Sequence, residues 1–121
     1  MAKKVLIVED YEDSRELMKL LVQSFGYEPI EACCGVEAVL SVKGEIPDLI
    51  LMDIALPDID GLTATKLIRE YLRGREVPII AVTASGGAYY QEAMQAGCNK
   101  IISKPFDIDL LEPVLSQYLG H

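Results

Sequence analysis

At 121 residues, half of them hydrophobic, the chain is sized for one domain with one substantial core, and disorder is excluded. Nineteen acidic against eleven basic side chains give a net charge of −8, and no Lys/Arg cluster supplies a face for phosphates. Direct nucleic-acid binding is therefore not expected, and partners should be proteins or cations.

Residues 5–8 form the first expected strand, with Glu9 and Asp10 at its carboxyl end. A helix over 12–25 follows, with Leu17, Leu20, Leu21 and Phe25 at helical spacing, and Gly26 stops it. Residues 28–32 read as a short, weaker strand. A helix over 35–43 carries Val36, Val39 and Leu40 on one face and ends at Gly44. Pro47 starts the central strand, 48–53. Its apolar run Leu49-Ile50-Leu51-Met52 is that of a strand buried on both faces of a parallel sheet, and it stops abruptly at Asp53.

After a turn over 57–61, Ala64, Leu67, Ile68, Tyr71 and Leu72 recur at i, i+3, i+4, i+7 and i+8 and mark a third helix. Residues 78–82 form a fourth strand, ending in the loop Thr83-Ala84-Ser85-Gly86-Gly87, expected to be mobile. Tyr90, Ala93 and Met94 give the next helical face, closed by Gly97. Residues 99–103 are the fifth strand, ending in Lys104-Pro105-Phe106. The last helix turns Leu111, Val114, Leu115, Tyr118 and Leu119 inward. Pro113 is awkward deep in a helix, so a start with Asp109 as N-cap and Glu112 as its capping-box partner is preferred to a start at Asp107.

Repeated strand–helix alternation with right-handed crossovers implies a doubly wound α/β domain of the flavodoxin-like class. It has a five-stranded parallel sheet in the order 2-1-3-4-5 with five helices. Residues 1–121 read as this single domain, without repeats or a linker. In that order strands 1 and 3 are neighbours, so Glu9, Asp10 and Asp53 converge where open α/β sheets place their chemistry.

No apolar run approaches the ~20 residues that span a bilayer. The apolar stretch before Glu9 is also too short for a signal peptide, so no membrane insertion is expected and the chain reads as cytoplasmic. Cys33, Cys34 and Cys98 are odd in number and form no C-x-x-C pair, which fits a reducing compartment and packing roles. His121 is the only histidine and the last residue, which removes histidine-based metal sites and Ser-His-Asp catalysis.

Three carboxylates at close range cannot all stay ionised without a cation, and hard oxygen ligands without His or Cys suit Mg²⁺. Strands 4 and 5 add Thr83, a hydroxyl, and Lys104, a cation expected to partner Asp53. Pro105 bends the chain beside Lys104, and a cis Lys104–Pro105 bond is left open. A carboxylate nucleophile, a divalent cation, a lysine and a hydroxyl make a phosphoryl-accepting site. Asp53 would attack phosphorus and form an acyl phosphate, in a reaction governed mostly by positioning and electrostatics.

Across essentially its whole length the chain resembles the receiver domains of two-component response regulators. The resemblance rests on Val8-Glu9-Asp10, the segment from Asp53 to Gly61, Thr83-Ala84, Ala96-Gly97 and Lys104-Pro105-Phe106. It implies that Asp53 receives a phosphoryl group from a phosphohistidine on a sensor histidine kinase or histidine phosphotransfer protein. It further implies Mg²⁺ held by Glu9, Asp10, Asp53 and the backbone carbonyl of Ala55, with Thr83 and Lys104 on the phosphoryl group. Thr83 would then shift and the helix 4–strand 5–helix 5 surface would change for a downstream protein target.

Two positions bear on how far that carries over. Ile101 stands where the family usually has Tyr or Phe, which puts the rotating-aromatic half of the switch in question and leaves aliphatic repacking as the other route. Tyr89 and Tyr90, assigned to helix 4, are given packing or surface roles. Small side chains at Ala55 and Ser85 flank the site and are expected to leave water access open, shortening the acyl phosphate's lifetime.

Other readings are weaker. A haloacid-dehalogenase-type phosphatase needs a second Asp two residues after its nucleophile, where this chain has Ala55, so the chain is not expected to be an enzyme beyond autocatalytic phosphorylation and dephosphorylation. A flavin-binding module needs a Ser/Thr/Gly-rich first loop, whereas Glu9-Asp10-Tyr11-Glu12-Asp13 would repel a phosphate. A receiver-like interaction module not controlled by phosphorylation is the remaining alternative. The chain ends just after its fifth helix, which leaves open a stand-alone regulator or a receiver excised from a hybrid kinase or longer regulator.

Overall fold

The computed structural model describes residues 2–84, 86–104 and 108–120, with Gly86 and Ile108 described by backbone alone. The chain alternates β1 Lys4–Val8, α1 Glu12–Ser24, β2 Glu28–Ala32, α2 Gly35–Gly44, β3 Leu49–Asp53, α3 Gly61–Tyr71 and β4 Ile79–Thr83. A 3₁₀ turn over Gly86–Tyr89 then leads into α4 Tyr90–Ala96, β5 Lys100–Ser103 and α5 Ile108–Leu119. The strands form one parallel sheet in the order β2-β1-β3-β4-β5, as the alternation of elements predicts.

Each face of the sheet has its own core. Leu6, Val8, Ile50, Met52, Ile79 and Ala81 point to the face covered by α2, α3 and α4. Val5, Ile7, Leu49, Leu51, Ile80 and Val82 point to the face covered by α1 and α5. The strict alternation explains the continuous apolar runs, because every residue of a doubly covered strand is buried. β3 and β4 are buried at every position.

The helix faces match the spacing in part: Phe25, Ala64, Ile68, Leu72 and Ala93 are buried as expected, but other expected positions are not. α1 buries Met18 and Val22, while Leu17 and Leu20 are more than half exposed. α2 buries Gly35, Ala38 and Val42 and leaves Val36 and Leu40 outside, with Val39 half-buried. α3 buries Ala64, Thr65 and Ile68 but exposes Leu67 and Tyr71, and α4 buries Ala93 and Ala96 but not Tyr90. A helix lying flat on a sheet brings its backbone close where the contacting residues are small, so alanine and glycine take the inner stripe and bulkier residues are displaced to its flanks. α5 turns Leu111, Val114, Leu115 and Leu119 inward as expected, with Tyr118 half-buried.

α5 begins at Ile108, so Asp109 is its second residue and not its N-cap, and Pro113 lies inside the helix. The proline sits on the exposed side, where water can take the Asp109 carbonyl freed by the missing N–H. Pro105, Phe106, Asp107, Ser85 and His121, and with them the Lys104–Pro105 peptide bond and the middle of the 83–87 loop, lie outside the described residues.

Candidate functional site

β1 and β3 pair in register from Val5–Leu49 to Val8–Met52, which sets Glu9 and Asp53 side by side at the carboxyl edge. Both carboxyls are buried, Glu9 1% and Asp53 5% exposed, while Asp10 is on the surface. Oxygens of all three come within 4.8 Å of one another. β4 brings Thr83, also buried, and β5 brings Lys104, whose backbone N–H donates to the Thr83 carbonyl at 2.7 Å.

Lys104 bridges the pair of buried acids, but unequally. Its Nζ donates to Glu9 Oε1 at 2.5 Å and stands 3.4 Å from Asp53 Oδ2, so Glu9 rather than Asp53 is its nearer partner. Glu9 is further held through Oε2 by the Tyr11 N–H at 3.2 Å, and Asp53 Oδ1 accepts from the Ala55 N–H at 3.2 Å.

The two carboxyls titrate as a pair. Burial, then the hydrogen bond and charge of Glu9, push Asp53 up to about 6, against the pull of Lys104 and the Ala55 N–H. Burial also pushes Glu9 up, but Lys104, the bond to Asp53 and the Tyr11 N–H outweigh it and leave Glu9 below its ordinary value. Burial opposes the charge on Lys104, yet the two acids hold its pKa above the usual one. The arrangement has more negative charge than one lysine neutralises, and the protein answers by favouring a proton on Asp53.

The loop after β3 is tied down through three of its residues, Asp58, Asp60 and Gly61. The Gly61 N–H donates to the Ile54 carbonyl at 2.8 Å, and a Cβ at Gly61 would lie 2.0 Å from the Asp53 carbonyl oxygen, so only glycine fits. Asp60 caps α3, accepting from the Thr63 N–H at 2.9 Å. Asp58 reaches across to α2 and accepts from the Gly35 and Val36 N–H groups at 2.9 and 2.8 Å. These bonds, the Val36 one foremost, hold Asp58 down to about 2. Sequence alone gives a turn over 57–61; Asp60 before a helical stripe carries an N-cap signature, whereas the long-range cap by Asp58 has no local signal.

A cleft of about 860 Å³ opens over these residues. Beside the five predicted side chains, its walls include Ala55, Asp60, Tyr89 and Glu92. Tyr89 closes the 3₁₀ turn before α4 and is partly exposed, so it belongs to the rim of the cleft. Ile101 is half-buried and packs against the core beneath α2, α3 and α4, paired in register with Ala81.

The chain belongs to the response regulator receiver domain family, whose model matches residues 5–116. It is 40% identical over 121 residues to the polar-differentiation response regulator DivK of Brucella ovis, covering 99% of this chain and 98% of that protein. Among solved structures it is similar to the receiver domain of sensor histidine kinase PA1611 from Pseudomonas aeruginosa PAO1, which has a magnesium ion coordinated in its active-site cleft. That likeness has a TM-score of 0.91 and 35% identity, with both chains covered in full. The chemotaxis protein CheY4 of Vibrio cholerae matches with a TM-score of 0.91 at 27% identity, over 98% of this chain and 99% of that one. The protein is thus a receiver domain of two-component signalling, a class that interacts with histidine kinases and downstream targets and is generally not a classical enzyme.

Proposed function

We propose that Asp53 accepts a phosphoryl group from a phosphohistidine on a sensor histidine kinase or histidine phosphotransfer protein. The observation that carries this is the buried pair Glu9–Asp53 bridged by Lys104, with Asp10 completing a set of three carboxylates within 4.8 Å. A carboxylate oxygen of Asp53 forms the new P–O bond as the P–N bond to imidazole breaks, and the electron pair stays on the imidazole nitrogen, which takes a proton from solvent. Lys104 meets the charge on the phosphoryl oxygens and the Thr83 hydroxyl donates to one of them.

Glu9, Asp10 and Asp53, with the carbonyl of Ala55, would hold Mg²⁺. An all-oxygen set with no His or Cys is the donor chemistry of a hard dication, and the proton that burial and Glu9 favour on Asp53 is what a second positive charge in the site would displace. Bound there, the ion supplies charge neutralisation at the phosphoryl oxygens.

Phosphorylation would bias the α4–β5–α5 surface toward a downstream protein, with Ile101 repacking as an aliphatic residue where relatives rotate a ring. In this reading residues 1–121 act as one receiver domain, with autocatalytic phosphorylation and dephosphorylation as its only chemistry. A cytoplasmic location accords with its three free cysteines.

Intact mass after incubation with Mg²⁺ and acetyl phosphate tests the reading. A gain of one phosphoryl group that needs Mg²⁺ and is lost in Asp53→Ala supports it. No gain with that donor or with any phosphohistidine protein would leave an interaction module with the fold but not the reaction.

A further inference from the structure

The end of the sheet opposite Asp53 holds a second cleft, of about 830 Å³, between the carboxyl ends of α3 and α5. Its floor is apolar, made by Leu72, Val77, Pro78 and Leu119, with Tyr118 alongside. The sequence has no run of basic residues here, yet the fold gathers Lys3, Arg69 and Arg75 around this floor.

None of these three cations is ion-paired among the described residues. Lys4, Arg15, Lys19 and Lys104 each form an ion pair, whereas Lys3, Arg69 and Arg75, like Lys43, Lys66, Arg73 and Lys100, form none among the described residues. Two acids share the cleft. Asp48 is engaged by the Lys4 N–H at 2.7 Å, and Glu76 is near enough to favour the charge on Arg69 without pairing with it.

Arg69 is fixed in place by neutral acceptors. Its Nε donates to the Gly97 carbonyl at 2.9 Å and its Nη2 to Asn99 Oδ1 at 2.8 Å. Gly97 makes the seat, because a Cβ there would meet Arg69 Cγ at 2.8 Å and Nε at 3.2 Å. Burial opposes the charge on this guanidinium, and Nη1 makes no hydrogen bond among the described residues. A half-buried, oriented guanidinium flanked by two more cations has the form of an anion receptor, and a planar fork suits phosphate oxygens.

We propose that this cleft binds a small ligand carrying a multiply charged phosphate, held by Arg69, Lys3 and Arg75, with any organic part on the Tyr118 and Leu72 side. Inorganic pyrophosphate and a nucleoside diphosphate share this chemistry. Binding would bear on the output side of the domain. Arg69 joins α3 to the end of α4, and Asn99 in turn receives the Ile79 N–H at 2.9 Å where β4 and β5 begin.

The test is a ¹H–¹⁵N NMR titration of the whole chain in EDTA, with pyrophosphate, ADP and citrate as probes. Expected are saturable shifts at Gly74, Gly97 and Asn99, with a Kd below about 1 mM for pyrophosphate and weaker binding of citrate. Affinity should fall about tenfold in Lys3→Gln/Arg75→Gln, two exposed positions away from the core. ADP binding more tightly than pyrophosphate assigns the apolar floor to a base, and equal affinity assigns the phosphate alone. The proposal is overturned by no saturation at those residues, by shifts centred on Glu9 and Lys104 instead, by citrate binding as tightly as pyrophosphate, or by unchanged affinity in the double variant.

Discussion

The α-carbon of Gly61 is pressed against the backbone of Asp53, so that a Cβ would stand 2.0 Å from the Asp53 carbonyl oxygen and 2.8 Å from its carbonyl carbon. Those atoms are backbone on a central strand and cannot swing aside. Gly61→Ala should therefore destabilise the protein by about 2–4 kcal/mol, because the loop after β3 must move away from the sheet. Urea unfolding measures this. A loss below about 0.5 kcal/mol would mean that the loop yields easily and does not position Asp53.

Asp53 pays for its place between Glu9 and the core with a proton affinity raised from 3.8 to about 6. The folded state holds that proton more tightly than the unfolded chain, so the penalty is absent below about pH 4, grows as pH rises, and is complete above about pH 6. Without Mg²⁺, the contribution of Asp53 should fall across this window by at most about 3 kcal/mol, offset in part by Glu9, which is shifted the other way. Asp53→Asn should remove the fall and be the more stable protein at pH 7.5 by about 1–3 kcal/mol. Adding Mg²⁺ should close the gap by stabilising only the parent. Thermal melts of both proteins at pH 4.5 and 7.5, with and without Mg²⁺, decide it; a gap that is the same at both pH values would assign it to something other than charge.

Lys104 sits nearer Glu9 than Asp53, and this separates its two effects. In Lys104→Ala one positive charge leaves the cluster, so Mg²⁺ should bind several-fold more tightly. Phosphorylation by acetyl phosphate should slow at least tenfold, since the charge on the transferring oxygens loses a partner. Opposite signs on the two measurements are the expected outcome. Weaker Mg²⁺ binding in the variant would show that Lys104 instead props the carboxylates in position.

The edge of the sheet was legible in the sequence because buried strands leave a plain mark: apolar runs that end in Glu9-Asp10, Asp53, Thr83 and Lys104. Once the strand order is fixed, those ends must converge. The helix surfaces were harder to read: Ala64 and Ala93 were on the expected faces, but size and hydrophobicity also point to Leu17, Leu40, Leu67 and Tyr71, while close helix–sheet packing selects Ala38 and Ala96 as well. Nor does any local signal report that Lys104 favours Glu9, or that Asp58 caps a helix beginning at Gly35, since both pairings exist only after the chain has crossed over.

That cap gives a pH signature of its own. Asp58 is held at about 2 in the fold against 3.8 without it, chiefly by the Val36 N–H. A depressed carboxylate stabilises above its unfolded pKa and loses that contribution as pH falls through the folded one. Asp58→Ala should thus melt at a lower temperature than the parent at pH 7, with the difference shrinking between about pH 4 and pH 2. Because the same bonds tie the loop after Asp53 to α2, the variant should also show NMR shift changes at both Gly35 and Ala55. Changes confined to the loop would mean that α2 is anchored by the Gly35–Ile59 contact alone.

Ala55 stands exposed on the wall of the cleft, with its N–H on Asp53 Oδ1. Its methyl group leaves the approach to Asp53 open on that side, a path by which water can reach an acyl phosphate. A longer side chain there should hinder the in-line water without disturbing the backbone bond, so Ala55→Gln is expected to lengthen the phosphoryl lifetime about three- to tenfold. The effect should appear in dephosphorylation more than in Mg²⁺ affinity, because the metal would take the backbone carbonyl and not the side chain. Decay of the phosphorylated mass after donor removal gives the rate. An unchanged rate in Ala55→Gln would place the water's path on another wall of the cleft, with Glu92 and Tyr89 on α4's side as the next positions to enlarge.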